Sequence, residues 1–369
     1  MNQRNSRVKN YHIIILFVIL FIIFQTIAIR REKSIELVPE EEFINEIELN
    51  LVKELNIGSP IVSNPAIQDE EMYVISKDSK IFIIDMKTYE ILREISLPKD
   101  VKREYNKGIA IYKNYIVLGS SNHIIVINLD NESIVYNKRV AKYSLKKFLI
   151  SEGILYYSSD GMAVYALDFN TFNLLWKYVE STEHASNYPL IVEDKLYFNG
   201  YDDMVIFNKY NGDKVHSFKV DISPDFIIDD GYIYGRNTVA KYLNKINKNT
   251  GEVVWQISER PSVPVVDNEY IFYSNLYEKK VVAIQNKNAE KLWDIEILNY
   301  PVFNLVPSAK YLFFRRQDGK VMALDKRTGE KLWEKMYKGK YANLLVFNDV
   351  FIITDENGTI HFYDISQDE

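Results

Sequence analysis

The chain repeats itself about every 40 residues, and that period limits its fold more than any other feature. An apolar run ending in Asp, Asn or Gln recurs, with its last residue at Asp85, Asn128, Asp168, Asn208, Asn247, Gln285, Asp325 and Asp364. Successive anchors lie 43, 40, 40, 39, 38, 40 and 39 residues apart. Four residues after the anchor comes a turn position, occupied by Gly at Gly212, Gly251 and Gly329. Eight residues after it stand Arg93, Tyr136, Trp176, His216, Trp255, Trp293 and Trp333. All four tryptophans of the protein occupy this one register.

Turn signals keep the same beat. About sixteen residues before the anchors come polar pairs such as Asp69-Glu70, Glu152-Gly153 and Asp230-Gly231. Nearer the anchors come Asp160-Gly161, Asp318-Gly319 and Asn357-Gly358. Such dipeptides tolerate positive φ and favour tight hairpins. Each unit is therefore expected to hold four short antiparallel strands, the content of one β-propeller blade. The last repeat stops at Asp364 without a fourth strand, whereas residues 47–55 (IELNLVKEL) look like a strand with no complete repeat before it. Counting back 32 residues from Asp85, the spacing between Trp176 and Asn208, lands on Lys53. The expectation is an all-β, eight-bladed propeller in which the amino-terminal strand completes the last blade and no sheet edge is orphaned.

Composition adds the setting. Residues 1–34 carry a net charge of +5 and the remainder −11, so the body repels phosphate backbones and nucleic-acid binding is not expected. Residues 11–29 (YHIIILFVILFIIFQTIAI) are uncharged and bracketed by Arg and Lys, long enough for a helix to span a bilayer. They are read as a transmembrane signal anchor, after a short basic cytoplasmic tail at 1–10 and before a charged linker at 30–45. The propeller is expected over 46–369, on the extracytoplasmic side of the cell membrane. Thr26 and Ala28 offer a fair cleavage site, which leaves secretion after signal cleavage as the alternative. The absence of cysteine rules out disulfides, thiolate metal sites, a Cys nucleophile and lipid attachment through Cys.

The phrase ALDKRTGEKLW at 323–333 resembles the pyrroloquinoline-quinone (PQQ)-type propeller repeat. NKNTGEVVW, QNKNAEKLW and LDFNTFNLLW keep parts of it in other units. The resemblance covers about residues 46–364 and implies the propeller fold. It also implies two functional groups: quinone- and calcium-dependent dehydrogenases, and non-enzymatic scaffolds similar to the outer-membrane-protein assembly lipoprotein. In such repeats the Trp docks one blade on the next. Trp176, Trp255, Trp293 and Trp333 are therefore read as blade-docking residues, with Tyr136 and His216 as weaker clasps and Arg93 lying along its seam. A position repeated in every blade cannot converge on one active site.

No catalytic, cofactor-binding or metal-binding residues are assigned. The five histidines (12, 123, 184, 216 and 361) show no ligand spacing, and acidic pairs such as Asp202-Asp203 and Asp229-Asp230 fall in predicted turns. The repeats are compact, with no insertion long enough to build a substrate chamber. The reading is a non-catalytic, membrane-anchored scaffold or sensor of the bacterial cell envelope that binds another envelope protein or peptide through a propeller face. A PQQ- and calcium-dependent oxidoreductase is the alternative.

Overall fold

The structure is a computed structural model that describes residues 48–366, apart from 98–107, 120–121, 141–144, 160–162, 181–187, 201–202, 224, 238, 240, 276, 298–300 and 338–342. The apolar segment 11–29, the tail and the linker lie outside the described residues. Among the described residues no helix is long and apolar enough to cross a membrane.

The strands form eight four-stranded antiparallel sheets, each a simple up-and-down meander. In the first blade Ala66–Gln68, Glu71–Ile75, Lys80–Asp85 and Ile91–Ser96 follow one another. Blades 2 to 7 repeat the pattern over residues 109–139, 145–179, 190–219, 226–257, 265–296 and 302–336. The eighth combines Asn343–Phe347, Val350–Thr354 and Thr359–Asp364 with Asn50–Asn56 from the start of the chain. Second and third strands lie between two neighbouring blades and are buried on both faces, which is why their sequences (VVAI, VMAL) are continuously apolar. Fourth strands run along the rim and alternate. In Leu174–Val179 only Trp176 is buried.

Eight hydrophobic clusters hold the ring, and each spans one blade-to-blade seam. Ile83, Ile95 and Leu97 of blade 1 meet Ile116, Ile125 and Ile127 of blade 2, for example. The closing seam packs Met72, Ile84 and Met86 of blade 1 against Ile352, Ile360 and Phe362 of blade 8, with Ile57 between them.

The closing strand stands in the predicted register. Lys53 pairs with Phe362, two residues before the anchor Asp364. Trp333 pairs with Ala323, two before Asp325, and Trp176 with Ala166, two before Asp168. The start of the chain thus supplies a rim strand in phase with the other seven. It begins at Asn50, three residues later than the sequence pattern suggested.

The meander sorts the loops onto two faces. Hairpins between first and second strands, and the turns after the anchors, form the anchor face. Hairpins between second and third strands, and the links between blades, form the connection face.

Candidate functional site

The repeat residues divide into anchors and seam residues. Anchor side chains cap their own turns. Asp325 Oδ1 accepts from the amides of Arg327 and Thr328, both at 2.8 Å. Asp85 does the same for Lys87 and Thr88, both at 2.7 Å, and Asp168 for Asn170 and Thr171. Asn128, Asn208 and Asn247 make equivalent bonds, and Asp364 accepts from Ser366. These are Asx turns, the reason for Asp or Asn at this position. The donated amides hold the Asp85 and Asp168 carboxyls below the usual carboxylate range. Gln285, one methylene longer, makes no such bond among the described residues.

Each turn then returns to the left-handed region four residues after the anchor: Tyr89, Glu132, Phe172, Gly212, Gly251, Ala289 and Gly329 all have φ between 54° and 77°. The register residue of the preceding blade lies over this spot. Trp176 Nε1 donates to the Lys209 carbonyl at 2.9 Å, and its indole covers Gly212. Trp293 Nε1 donates to the Lys326 carbonyl at 3.1 Å and covers Gly329. Trp255 Nε1 donates to the Asn286 carbonyl at 3.1 Å in a more open seam beside Ala289. Tyr136 stacks on Phe172 with ring centroids 4.3 Å apart. Arg93 donates to the Leu129 carbonyl and pairs with Glu132 at 3.1 Å. The acceptor is the residue after the anchor each time, so one geometry serves indole and guanidinium alike.

One seam differs from the expectation. His216 is exposed, and the place over Gly251 is taken by Phe218, two residues on and on the same strand face. A ring with no polar edge fills an apolar seat at lower desolvation cost than an imidazole. In the last seam Trp333 packs edge-on to Tyr363, in one buried cluster with Leu49 and Leu332. Leu49 precedes Lys53 by four residues, so it holds the place that Gly329 holds under Trp293. Applying the Trp-to-turn offset to Lys53 would have found it.

Gly329 and Gly231 separate two costs. Both have positive φ, but a Cβ on Gly329 would stand 2.7 Å from Trp293 Cδ2, whereas nothing lies within 4 Å of one on Gly231. Gly231→Ala should cost about 1 kcal/mol for the left-handed backbone alone. Gly329→Ala should cost at least twice that, because the indole must leave its seat. Urea unfolding of the two variants checks this, and equal losses would dismiss the docking account.

Polar groups concentrate on the anchor face over blades 5 to 7. There a cleft of about 410 Å³ is lined by Asp229, Val266, Asp267, Asn268, Pro307, Ser308, Ala309 and Lys326. Lys326 Nζ bridges it, donating to Asp267 Oδ2 at 2.6 Å and to the Ser308 carbonyl at 2.8 Å. The carbonyl of lining residue Asn268 accepts from Asn286 Nδ2 at 3.2 Å, and Asn286 Oδ1 accepts from buried Lys245 Nζ at 2.8 Å, which stands 4.1 Å from the Tyr232 ring centre. Burial pushes the Lys245 ammonium below the usual lysine range, against the pull of Asp230 and Asp229.

The folded chain therefore holds the Lys245 proton more weakly than the unfolded chain does. Between the two pKa values the unfolded state binds more protons, so stability rises with pH there. Lys245→Met should be the more stable protein near neutral pH, with the gap closing as pH rises toward 10. Urea midpoints of both proteins across that range measure it, and a gap that stays constant would refute it.

This arrangement offers polar side chains for contact and a net negative cleft. Among the described residues no group of three or more His, Asp or Glu could hold a metal ion. Spacing located the three hairpins that line the cleft but not the cleft itself, because the repeat fixes the turn there and leaves the residue type free. His123 and His361 lie on third strands, and Asp229 ends the first strand of blade 5. Asp202 and the histidines at 12 and 184 lie outside the described residues.

Residues 239–355 match the family model described as outer membrane protein assembly factor BamB. No curated protein matches the chain. BamB from Moraxella catarrhalis superposes with a TM-score of 0.68 at 18% identity, over 86% of this chain and 100% of that one. The computationally designed Ika8 protein gives 0.69 at 13% identity, over the same shares. With 1660 solved chains matching, this structural likeness is one of fold. With eight four-stranded blades and this seam geometry the chain is an eight-bladed β-propeller, and its residues 239–355 are similar to the PQQ-type repeat family.

Proposed function

We propose that this propeller is a non-catalytic, protein-binding scaffold or sensor of the bacterial cell envelope, held at the membrane by residues 11–29 with its body on the extracytoplasmic side. The observation that carries the reading is the match of residues 239–355 to a family described as an assembly factor. The seams add support, since Trp176, Trp255 and Trp293 spend their faces and N–H groups on the neighbouring blade. A rigid disc with two loop-built faces suits presentation of side chains to a partner.

Two measurements test it. Protease added to intact cells should digest the body while sparing the amino-terminal tail; digestion only after lysis would reverse the orientation. Photo-cross-linkers placed on each face should capture one envelope protein reproducibly. Tight stoichiometric binding of PQQ with calcium, followed by calorimetry, together with dehydrogenase activity, would replace the scaffold by an enzyme.

A further inference from the structure

The large apolar side chains left exposed among the described residues fall almost entirely into two groups. One runs round the rim on the fourth strands, as Ile91-Leu92, Leu174-Leu175 and Val253-Val254. It recurs blade after blade and so singles out no direction of approach. The other lies on the connection face: Val62, Val239, Val263, Tyr277 and Phe303. Four of these five belong to one arc over blades 5 to 7. The anchor face shows Tyr210 alone, and its hydroxyl is already engaged by Glu152 at 2.6 Å.

The arc has an organised centre. Arg260, on the link from blade 5 to blade 6, lays its guanidinium over the Tyr277 ring, 3.5 Å from the centroid. The backbone around both is fixed, since Pro261 bridges to Asn275 and the Asn275 side chain accepts from the Tyr277 amide at 3.1 Å. Tyr277 is 70% exposed all the same. An exposed aromatic ring held by a stacked guanidinium has its conformational entropy already reduced, and Tyr and Arg dominate the energetic centres of protein interfaces.

Charge decides the kind of partner. Among the described residues neither Arg260 nor Lys241, on the neighbouring hairpin of blade 5, makes an ion pair. Of the carboxylates nearby, Asp294 pairs with Lys280 and Lys291, exposed Glu278 with Lys280 at 3.8 Å and Asp318 with Arg316, while Glu259 accepts from the Tyr273 hydroxyl. On a body that is acidic overall, this arc presents two cations outside any ion pair, Arg260 and Lys241, beside apolar side chains.

We infer that the connection face over blades 5 to 7 docks a partner-protein segment in which a carboxylate is flanked by apolar side chains. The carboxylate meets the Arg260 guanidinium, and the apolar neighbours cover Tyr277, Val263 and Phe303. This rests on the scaffold reading and names the face and chemistry it uses.

The test uses the full chain in nanodiscs and a fluorescein-labelled peptide of sequence GFDLDFG, with GFKLKFG as its counterpart. Anisotropy should show saturable binding of the acidic peptide only. The paired change Arg260→Ala and Tyr277→Ala should weaken it about tenfold or more. No binding of the acidic peptide, equal binding of the lysine peptide, or an unaffected double variant overturns the inference. So does recruitment to phosphatidylglycerol vesicles through the same two residues, which would make the arc a membrane contact. A photo-cross-linker at Val263 should capture a partner in cells, and one at Asn288 on the anchor face should not. Cross-links from Asn288 alone overturn this inference and leave the scaffold reading standing, whereas quinone binding would remove that reading itself.

Discussion

Trp176→Ala is expected to lower the unfolding free energy by about 3–5 kcal/mol, the range for truncating a large buried aromatic. Trp176 is buried, and its cluster draws on both sides of the seam: Tyr156, Val164 and Ala166 from blade 3, with Leu196, Phe198 and Phe207 from blade 4. Its Nε1 and the Tyr156 hydroxyl, at 3.0 Å, donate to the same Lys209 carbonyl. The Lys209 side chain is itself buried and reaches Glu152 at 2.8 Å, which ties the backbone that accepts from the indole to blade 3. Removing it leaves a cavity bounded by backbone on the Gly212 side, and backbone collapses into cavities poorly.

The same register gives an internal control. Arg93 does the equivalent job with a half-exposed guanidinium paired to exposed Glu132. Exposed pairs contribute about 0–1 kcal/mol, so Arg93→Ala should fall well below Trp176→Ala. Trp176→Phe should fall between them, since it keeps a ring over Gly212 and loses one hydrogen bond of about 1 kcal/mol. Urea unfolding followed by circular dichroism ranks the three. If Arg93→Ala proved as costly as Trp176→Ala, burial at the seam would not be what the register provides.

The ring was legible because its causes are periodic. Anchors 38 to 43 residues apart fix the blade, and the missing fourth strand after Asp364 fixes how the ring closes. Lys53 was located by an offset measured elsewhere in the chain, and it pairs with Phe362. His216 shows the limit of that reasoning. Spacing says which position points into a seam, but the occupant depends on the shape across it, and Phe218 fits over Gly251. The positive-φ turn positions were half legible for a similar reason. Gly212, Gly251 and Gly329 announce themselves, while Tyr89, Glu132, Phe172 and Ala289 take the same φ without a glycine.

The anchor-face cleft and the Arg260–Tyr277 pair were illegible, and the physical reason is the same for both. Each depends on side chains from different repeats meeting across loops, where the repeat imposes no residue type. Repetition records what every blade must do. Whatever occurs in one place alone, such as Arg260 stacking on Tyr277, leaves no periodic trace.

Gly358→Ala should break the closure of the ring, with a loss of about 3 kcal/mol or more. Gly358 has a φ of 84°, so any Cβ pays for a left-handed backbone. A Cβ there would also stand 2.1 Å from the Ser59 carbonyl oxygen and 2.7 Å from its carbon. Both partners are backbone, so no rotamer change relieves the clash. The Ser59 side is tied down on each flank, because Ile57 donates its amide to the Gly358 carbonyl at 2.9 Å and Asn343 Nδ2 donates to the Ser63 carbonyl at 3.2 Å. The chain can make room only by lifting residues 57–63, which pulls Asn50–Asn56 out of its ladder with Thr359–Asp364. Blade 8 would then expose a third-strand edge, and Leu49 would leave Trp333. Gly58→Ala is the control, since Gly58 also has positive φ and nothing lies within 4 Å of its Cβ. Hydrogen exchange should show amides of residues 50–56 losing protection in Gly358→Ala and keeping it in Gly58→Ala, while the ladders of blades 3 and 4 stay protected in both. Equal protection of the closing strand in the two variants would mean that the ring does not depend on this contact.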